Sequence, residues 1–162
     1  MAQVSLSLLG PFRATLDEEP ISGFKSNRVR ALLAYVAVRS EKVHRREVLA
    51  GLLWPDWPNG EALSNLRYGL SNLREVIGDR ARSADDDADP PLLLITRTTV
   101  CFNKSSHYRL DLESFGELVQ TEPSDPRFIE RLAEAVDLYR GSFLEGFTLD
   151  DSPEFEEWVL LT

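Results

Sequence analysis

The stretch 61–78, EALSNLRYGLSNLREVIG, decides how the rest of the chain is read. Leu63, Leu66, Leu70, Leu73 and Ile77 recur at steps of three and four, the period of one helical face. At about 100° per residue, Tyr68 lies almost opposite that seam. Ser64, Ser71, Asn72 and Glu75 share the tyrosine's face, and Arg67 and Arg74 fall on its shoulders. The stretch is therefore a helix with a buried leucine stripe. Its outer surface is made of hydroxyls, amides, a tyrosine and flanking guanidiniums. An ordinary solvated helix face is richer in Lys and Glu, so this one suits a helix laid on nucleic acid.

The residues before it supply a support. Val4–Leu9 and Phe12–Leu16 flank the turn Gly10-Pro11, and residues 17–20 (DEEP) make a second turn, which predicts an N-terminal antiparallel sheet. Ser26 is a helix cap for residues 27–38, where Val29, Leu32, Leu33 and Val36 form an i, i+3, i+4, i+7 face. Residues 45–54 are a second helix burying Val48, Leu49, Leu52 and Leu53. Pro55 ends it, since the residue before proline disfavours helix. Trp54 closes that apolar stripe and belongs to the core. The loop 55–60, PDWPNG, carries Trp57, read as folded back under the loop.

After the helix, Gly78 suits a left-handed cap, and residues 80–91, RARSADDDADPP, form a polar loop. Residues 92–96 and 99–102 are β-rich runs around Arg97-Thr98 and read as a hairpin. Residues 1–104 thus make one α+β unit of an N-terminal sheet, three helices and a closing hairpin. Residues 105–162 read as helical. Leu112, Phe115, Leu118 and Val119 form one apolar face. Ser124 or Asp125 caps a helix with Phe128, Leu132, Ala135, Val136 and Tyr139. Pro153 stands at the first position of a last helix reaching Trp158. Three short helices with an open apolar side imply a fragment of a longer protein.

Charge separates the two units. The net charge of −9 argues against a simple nucleic-acid binder. Yet residues 1–80 hold 11 Lys/Arg against 9 Asp/Glu, whereas residues 111–162 hold 3 against 14. Phosphate would repel the acidic unit, which instead faces another protein. A single cysteine cannot form an internal disulfide, and no apolar run reaches membrane-spanning length. These features predict a soluble cytoplasmic protein. Cys101 alternates within the hairpin as a buried small hydrophobe.

The run RREVLAGLLWPD at 45–56, followed by LRYGLSNLREVIG at 66–78, resembles the winged-helix region of SARP/AfsR-type activators and OmpR/PhoB-like regulators. LYRGSFL at 138–144 and EEWV at 156–159 resemble the bacterial transcriptional activator domain that follows it there. The resemblance implies an α+β winged helix over 1–104, then the start of an all-α, TPR-like activator domain over 105–162. It implies a recognition helix, 61–78, in the major groove of double-stranded DNA and a wing, 92–102, near the minor groove. Tyr68 and Asn72 then face base edges, and Ser64, Asn65, Ser71 and Arg74 reach phosphates. Many relatives have Arg or Lys where this chain has Asn72 and Glu75. Asn reads adenine rather than guanine. The implied partners are a direct-repeat promoter site, a second copy bound in tandem and RNA polymerase, which the Trp57 loop can touch in the family.

Each candidate also has an ordinary reading. Tyr68 contacts a base or is a surface tyrosine. Arg67 and Arg74 contact DNA or pair with nearby acids. Arg97, at the hairpin tip, enters a minor groove or is solvated. Lys25, Arg28, Arg45 and Arg46 reach phosphates or form a solvated rim. The run Asp85–Asp87 is a solvated loop rather than a metal site, because no His or Glu stands at ligand spacing. No nucleophile–base pairing or phosphate loop occurs, so neither an enzyme nor a cofactor is expected. The competing class is a protein-interaction module of a larger signalling protein that does not bind DNA.

Overall fold

The structure is a computed structural model that describes residues 3–79, 90–149 and 151–162. The Asp85–Asp87 run and most of its loop lie outside the described residues. Strands β1 (Val4–Ser7) and β2 (Arg13–Leu16) pair antiparallel, and β3 (Glu19–Pro20) adds to β2. Asp17 and Glu18 both take positive φ, 50° and 72°, in the two-residue β2–β3 turn. Such turns match the right-handed twist of the strands they join. Then come α1 (Asn27–Val38), β4 (His44–Arg45), α2 (Arg46–Leu53) and α3 (Asn59–Val76). Hairpin β5 (Leu93–Ile95) and β6 (Thr99–Phe102) follows, with β4 pairing on β6.

Local chemistry explains the helix ends. Ser26 caps α1, its Oγ accepting the N–H of Val29 at 3.3 Å. Gly78, at φ 81°, turns the chain out of α3. Asp79 is buried immediately after it. Its carboxylate accepts the N–H groups of Leu92 at 2.9 Å and Leu93 at 3.0 Å. The start of the hairpin is thereby clipped to the end of α3. Leu66, Leu70, Leu73 and Ile77 join Leu32, Leu33, Leu49 and Leu53 in one core. Trp54 lies in that core as expected.

Three expectations about packing are corrected. Val48 is 56% exposed, because α2 turns Leu49, Ala50, Leu52 and Leu53 inward instead. Trp57 is half exposed rather than folded under its loop. Cys101 is only partly buried, its Sγ 3.5 Å from the Phe102 carbonyl.

The expected boundary at residue 104 is crossed by both sheet and core. The region beyond it begins with a strand, β7 (Tyr108–Leu110), lying parallel to β1 with Val4 opposite Tyr108. The N-terminal sheet is therefore mixed, in the order β3-β2-β1-β7, and not purely antiparallel. Helix α4 (Asp111–Val119) follows directly. Asp111 is buried and accepts both Leu8 and Leu9 N–H groups at 2.8–2.9 Å. Helices α5 (Phe128–Leu138) and α6 (Pro153–Leu161) complete six helices among the described residues. Pro153 opens α6 as expected, whereas α5 starts from Arg127 and not from Ser124 or Asp125. The segment between α5 and α6 returns to the first strands. Arg140 N–H donates to the Leu9 carbonyl, Gly10 N–H to Ser142 and Leu144 N–H to Leu8. Leu144, Leu149 and Phe155 lie in the same core as the leucines of α3. This mixed α/β body, with three helices leading to a hairpin and three more beyond it, is compatible with a winged helix followed by a helical segment.

Candidate nucleic-acid interface

Helix α3 supplies the ridge of the site. Its leucine seam faces α1 and α2, which leaves Arg67, Tyr68 and Glu75 exposed and Ser64, Asn65, Ser71 and Arg74 half-buried. Tyr68 is 68% exposed. The Arg67 guanidinium lies over its ring, 5.6 Å from the centroid. This stacking holds the two side chains together at the crest of the ridge.

One flank of the ridge is cationic. Ser64, Leu63 and Arg67 of α3, Arg46 at the start of α2 and Arg97 at the hairpin tip line a recess of about 220 Å³. Arg46 holds the hairpin in register. Its backbone N–H donates to the Thr98 carbonyl at 2.9 Å, and its Nε donates to the Thr96 carbonyl at 3.0 Å. The hairpin turn is closed by Thr96 Oγ1, which accepts the Thr99 N–H at 2.9 Å. Among the described residues none of Arg45, Arg46, Arg67, Arg74 and Arg97 makes an ion pair. The pairing with nearby acids considered for Arg67 and Arg74 is thus not made there. Arg45 is exposed at the start of α2. Arg74 sits at the far end of the ridge, beside Asp79 and the strand β5.

The other flank differs. Lys25, Ser26, Trp54, Trp57, Asn65, Tyr68 and Asn72 border a recess of about 240 Å³. Asn72 was expected on the exposed face beside Tyr68 and is instead only 5% exposed. Its Oδ1 accepts the Lys25 N–H and its Nδ2 donates to the Gly23 carbonyl, both at 2.9 Å. The amide is engaged by the loop ahead of α1 and is not turned to the exposed face beside Tyr68. The cause is packing on a second seam. Gly69, Asn72 and Val76, at steps of three and four, lie beside the leucines; Gly69 approaches Val29 of α1, and Asn72 and Val76 meet the loop ahead of it at Gly23 and Lys25. A Cβ on Gly69 would stand 3.6 Å from Trp54 and 3.7 Å from Val29. The signal for this close approach was the small residue Gly69, which a count of large apolar side chains passes over.

Arg28 is corrected likewise. Its Nε donates to the Leu53 carbonyl at 2.8 Å, and its Nη2 pairs with Asp151 at 3.3 Å. The Leu53 carbonyl also accepts the buried Ser152 hydroxyl at 3.2 Å. Arg28 therefore joins α1, α2 and the loop before α6, and is not a free phosphate ligand. His44 is buried beside the hairpin, opposite Val100 of β6, with Nε2 3.1 Å from the Arg39 carbonyl. Burial is the main cause that pushes its imidazole below the usual histidine range. Among the described residues no group of His, Cys, Asp and Glu is arranged to hold a metal.

No family model matches this chain. A stretch of 77 residues, 47% of the chain, is 31% identical to "Transcriptional regulatory protein EmbR" of Mycobacterium bovis. The same holds for the protein of that name from Mycobacterium tuberculosis. The chain spans about a fifth of the length of these curated relatives, the match covering 19% of each. A solved structure of Mycobacterium tuberculosis EmbR, in complex with a low-affinity phosphopeptide, superposes with a TM-score of 0.68 at 20% identity. That superposition covers 99% of this chain and 42% of the solved one, so the whole described fold recurs there.

Proposed function

We propose that this chain is a sequence-specific DNA-binding transcriptional regulator of the SARP kind. The observation that carries the reading is the recess formed by Arg46, Arg67 and Arg97. Three guanidiniums from α2, α3 and the hairpin tip converge on one flank of an exposed helix, and no described acid pairs with them. Separated cations along a helix and an adjacent hairpin suit the spaced phosphates of a duplex. The likeness to proteins named as transcriptional regulatory proteins supports the class.

In this reading α3 lies in a major groove and hairpin β5–β6 stands near the adjoining minor groove, as in an OmpR/PhoB-type winged helix. Tyr68 meets base edges. Ser64, Asn65, Ser71, Arg45, Arg46, Arg67 and Arg74 engage backbone, and Arg97 enters the minor groove. Asn72 has no base-reading role. The acidic, TPR-like part, residues 111–162, faces protein: RNA polymerase, or a second copy bound to the next direct repeat. Tandem binding would add affinity without new contacts in either copy. The protein would act as an activator in the cytoplasm. Among the described residues no helix is long and apolar enough to cross a membrane.

The test is a titration against random duplex at two salt concentrations. A protein neutralising several phosphates loses affinity steeply as salt rises. No binding at low salt would sink the reading. A second reading, a protein-interaction module that leaves DNA alone, draws on Glu75, which is exposed on the same ridge. A steep salt dependence removes it.

A further inference from the structure

The two flanks of α3 are built differently. On the hairpin side the cations project from elements held by their own backbones. On the α1 side the chain entering the helix, residues 23–25, has little structure of its own. It belongs to no strand or helix. Gly23 takes φ 97°, a region that L side chains rarely adopt. Two hydrogen bonds from a single buried side chain fix this loop. Asn72 Oδ1 takes the Lys25 N–H and Asn72 Nδ2 gives to the Gly23 carbonyl. The side-chain amide thus occupies the place of a neighbouring strand's peptide group, one acceptor and one donor against a backbone.

The consequence falls on Lys25. Its backbone nitrogen is clamped, its side chain is exposed and makes no ion pair among the described residues. It borders the same recess as Tyr68 and Asn65, on the flank of α3 opposite Arg46, Arg67 and Arg97. We propose that Asn72 is a positioning residue for DNA binding, holding Lys25 beside Tyr68 as a phosphate contact on the flank away from the hairpin. This rests on the DNA-binding reading above. It gives α3 a cation on each side, one set carried by rigid elements and one held by Asn72.

A phosphate contact and a merely structural asparagine differ in one observable. Each neutralised phosphate adds about 0.9 to the slope of log affinity against log salt. The measurement is that slope for the full chain on a duplex, with thermal unfolding alongside. Lys25→Gln, an exposed change, is expected to lower the slope by about 0.9, so a fourfold rise in salt costs about 3.5-fold less affinity than in the unaltered protein. Asn72→Ala is expected to lose the same slope, and the double variant no more than either single one. Asn72→Ala can also unfold the chain. Gly23→Ala then serves, since its Cβ would sit 3.3 Å from Val76 Cγ1 in a strained backbone and shift the same loop. Its expected slope is that of Lys25→Gln. An unchanged slope in Lys25→Gln overturns the proposal. So does a folded Asn72→Ala or Gly23→Ala that melts earlier but keeps the full slope. If the unaltered protein shows no salt-dependent binding, the DNA reading itself fails, and this one with it.

Discussion

Helices α1–α3 and helices α4–α6 solve the burial problem in opposite ways. The first set turns its leucines into the centre of the core. Leu32, Leu33, Leu49, Leu53, Leu66 and Leu73 are all fully buried, and the polar residues left outside form the candidate interface. The second set has little interior of its own. In α4 only Asp111 is buried and in α5 only Ala135, while Ile129 and Val136 stand 76% and 70% exposed. Helices α4 and α5 pack on each other, with Phe115 against Tyr139 at a ring-centroid distance of 6.0 Å, and the set meets the first through β7, the 140–149 segment, Phe155 and Trp158. Trp158 packs edge-on to Tyr35 of α1, with ring centroids 4.8 Å apart. The charge of the chain changes near residue 110, but the packing does not divide there.

The largest effect should come from the residue that ties the acidic half into the shared core. Phe155 is fully buried against Phe147 and Trp158. Phe155→Ala is expected to cost about 3–5 kcal/mol. Hydrogen exchange should show α1 and α3 losing protection together with α6. Unaltered protection in α1–α3 would mean that the first set is independent after all. Next comes Asp111→Ala, which leaves the buried Leu8 and Leu9 N–H groups without an acceptor. A cost of about 2–4 kcal/mol is expected in denaturant unfolding. A cost below about 0.5 kcal/mol, the size of an ordinary surface change, would show that α4 contributes nothing to the first sheet.

Smaller effects sharpen the functional side of the contrast. Arg97→Ala should lower the salt slope of duplex binding by about 0.9 and leave thermal stability unchanged, since among the described residues its side chain makes no ion pair. Asp137→Asn, in the acidic half, should change neither slope nor fold. A loss of slope there would move the DNA contact to the wrong half. The smallest effect concerns pH. His44 is neutral when buried, and its folded pKa lies below the unfolded 6.5. The stability it contributes is present above pH 6.5 and is lost as pH falls through the folded value. His44→Gln should flatten that acid limb, measured by thermal unfolding across pH 4–7.

The recurrence of leucine every three or four residues was enough to find α1, α2 and α3, and the β-rich runs around Arg97-Thr98 were enough to find the hairpin. Periodicity works there because one face of each element meets the core and the other meets water. The polar ridge was legible for Tyr68, Ser64 and Ser71 on the same ground. Asn72 escapes that pattern because the loop ahead of α1 lies against α3 beside Gly69 and takes both ends of its amide. Arg28 was misread because its partners, Leu53 and Asp151, are distant in sequence.

Which local stretches become helices and hairpin, where glycine and proline end them, and how charge is distributed can all be read along the chain. All of these depend on residues within a turn or two of each other. It takes the packed chain to bring β7 onto the first sheet and to set Asp79 and Asp111 against backbone N–H groups of other elements. The same packing turns Asn72 to the loop at Gly23 and Lys25. Each of those outcomes is a hydrogen bond or a pairing across many residues of chain. Its partner is chosen by how whole elements pack, which no local pattern encodes.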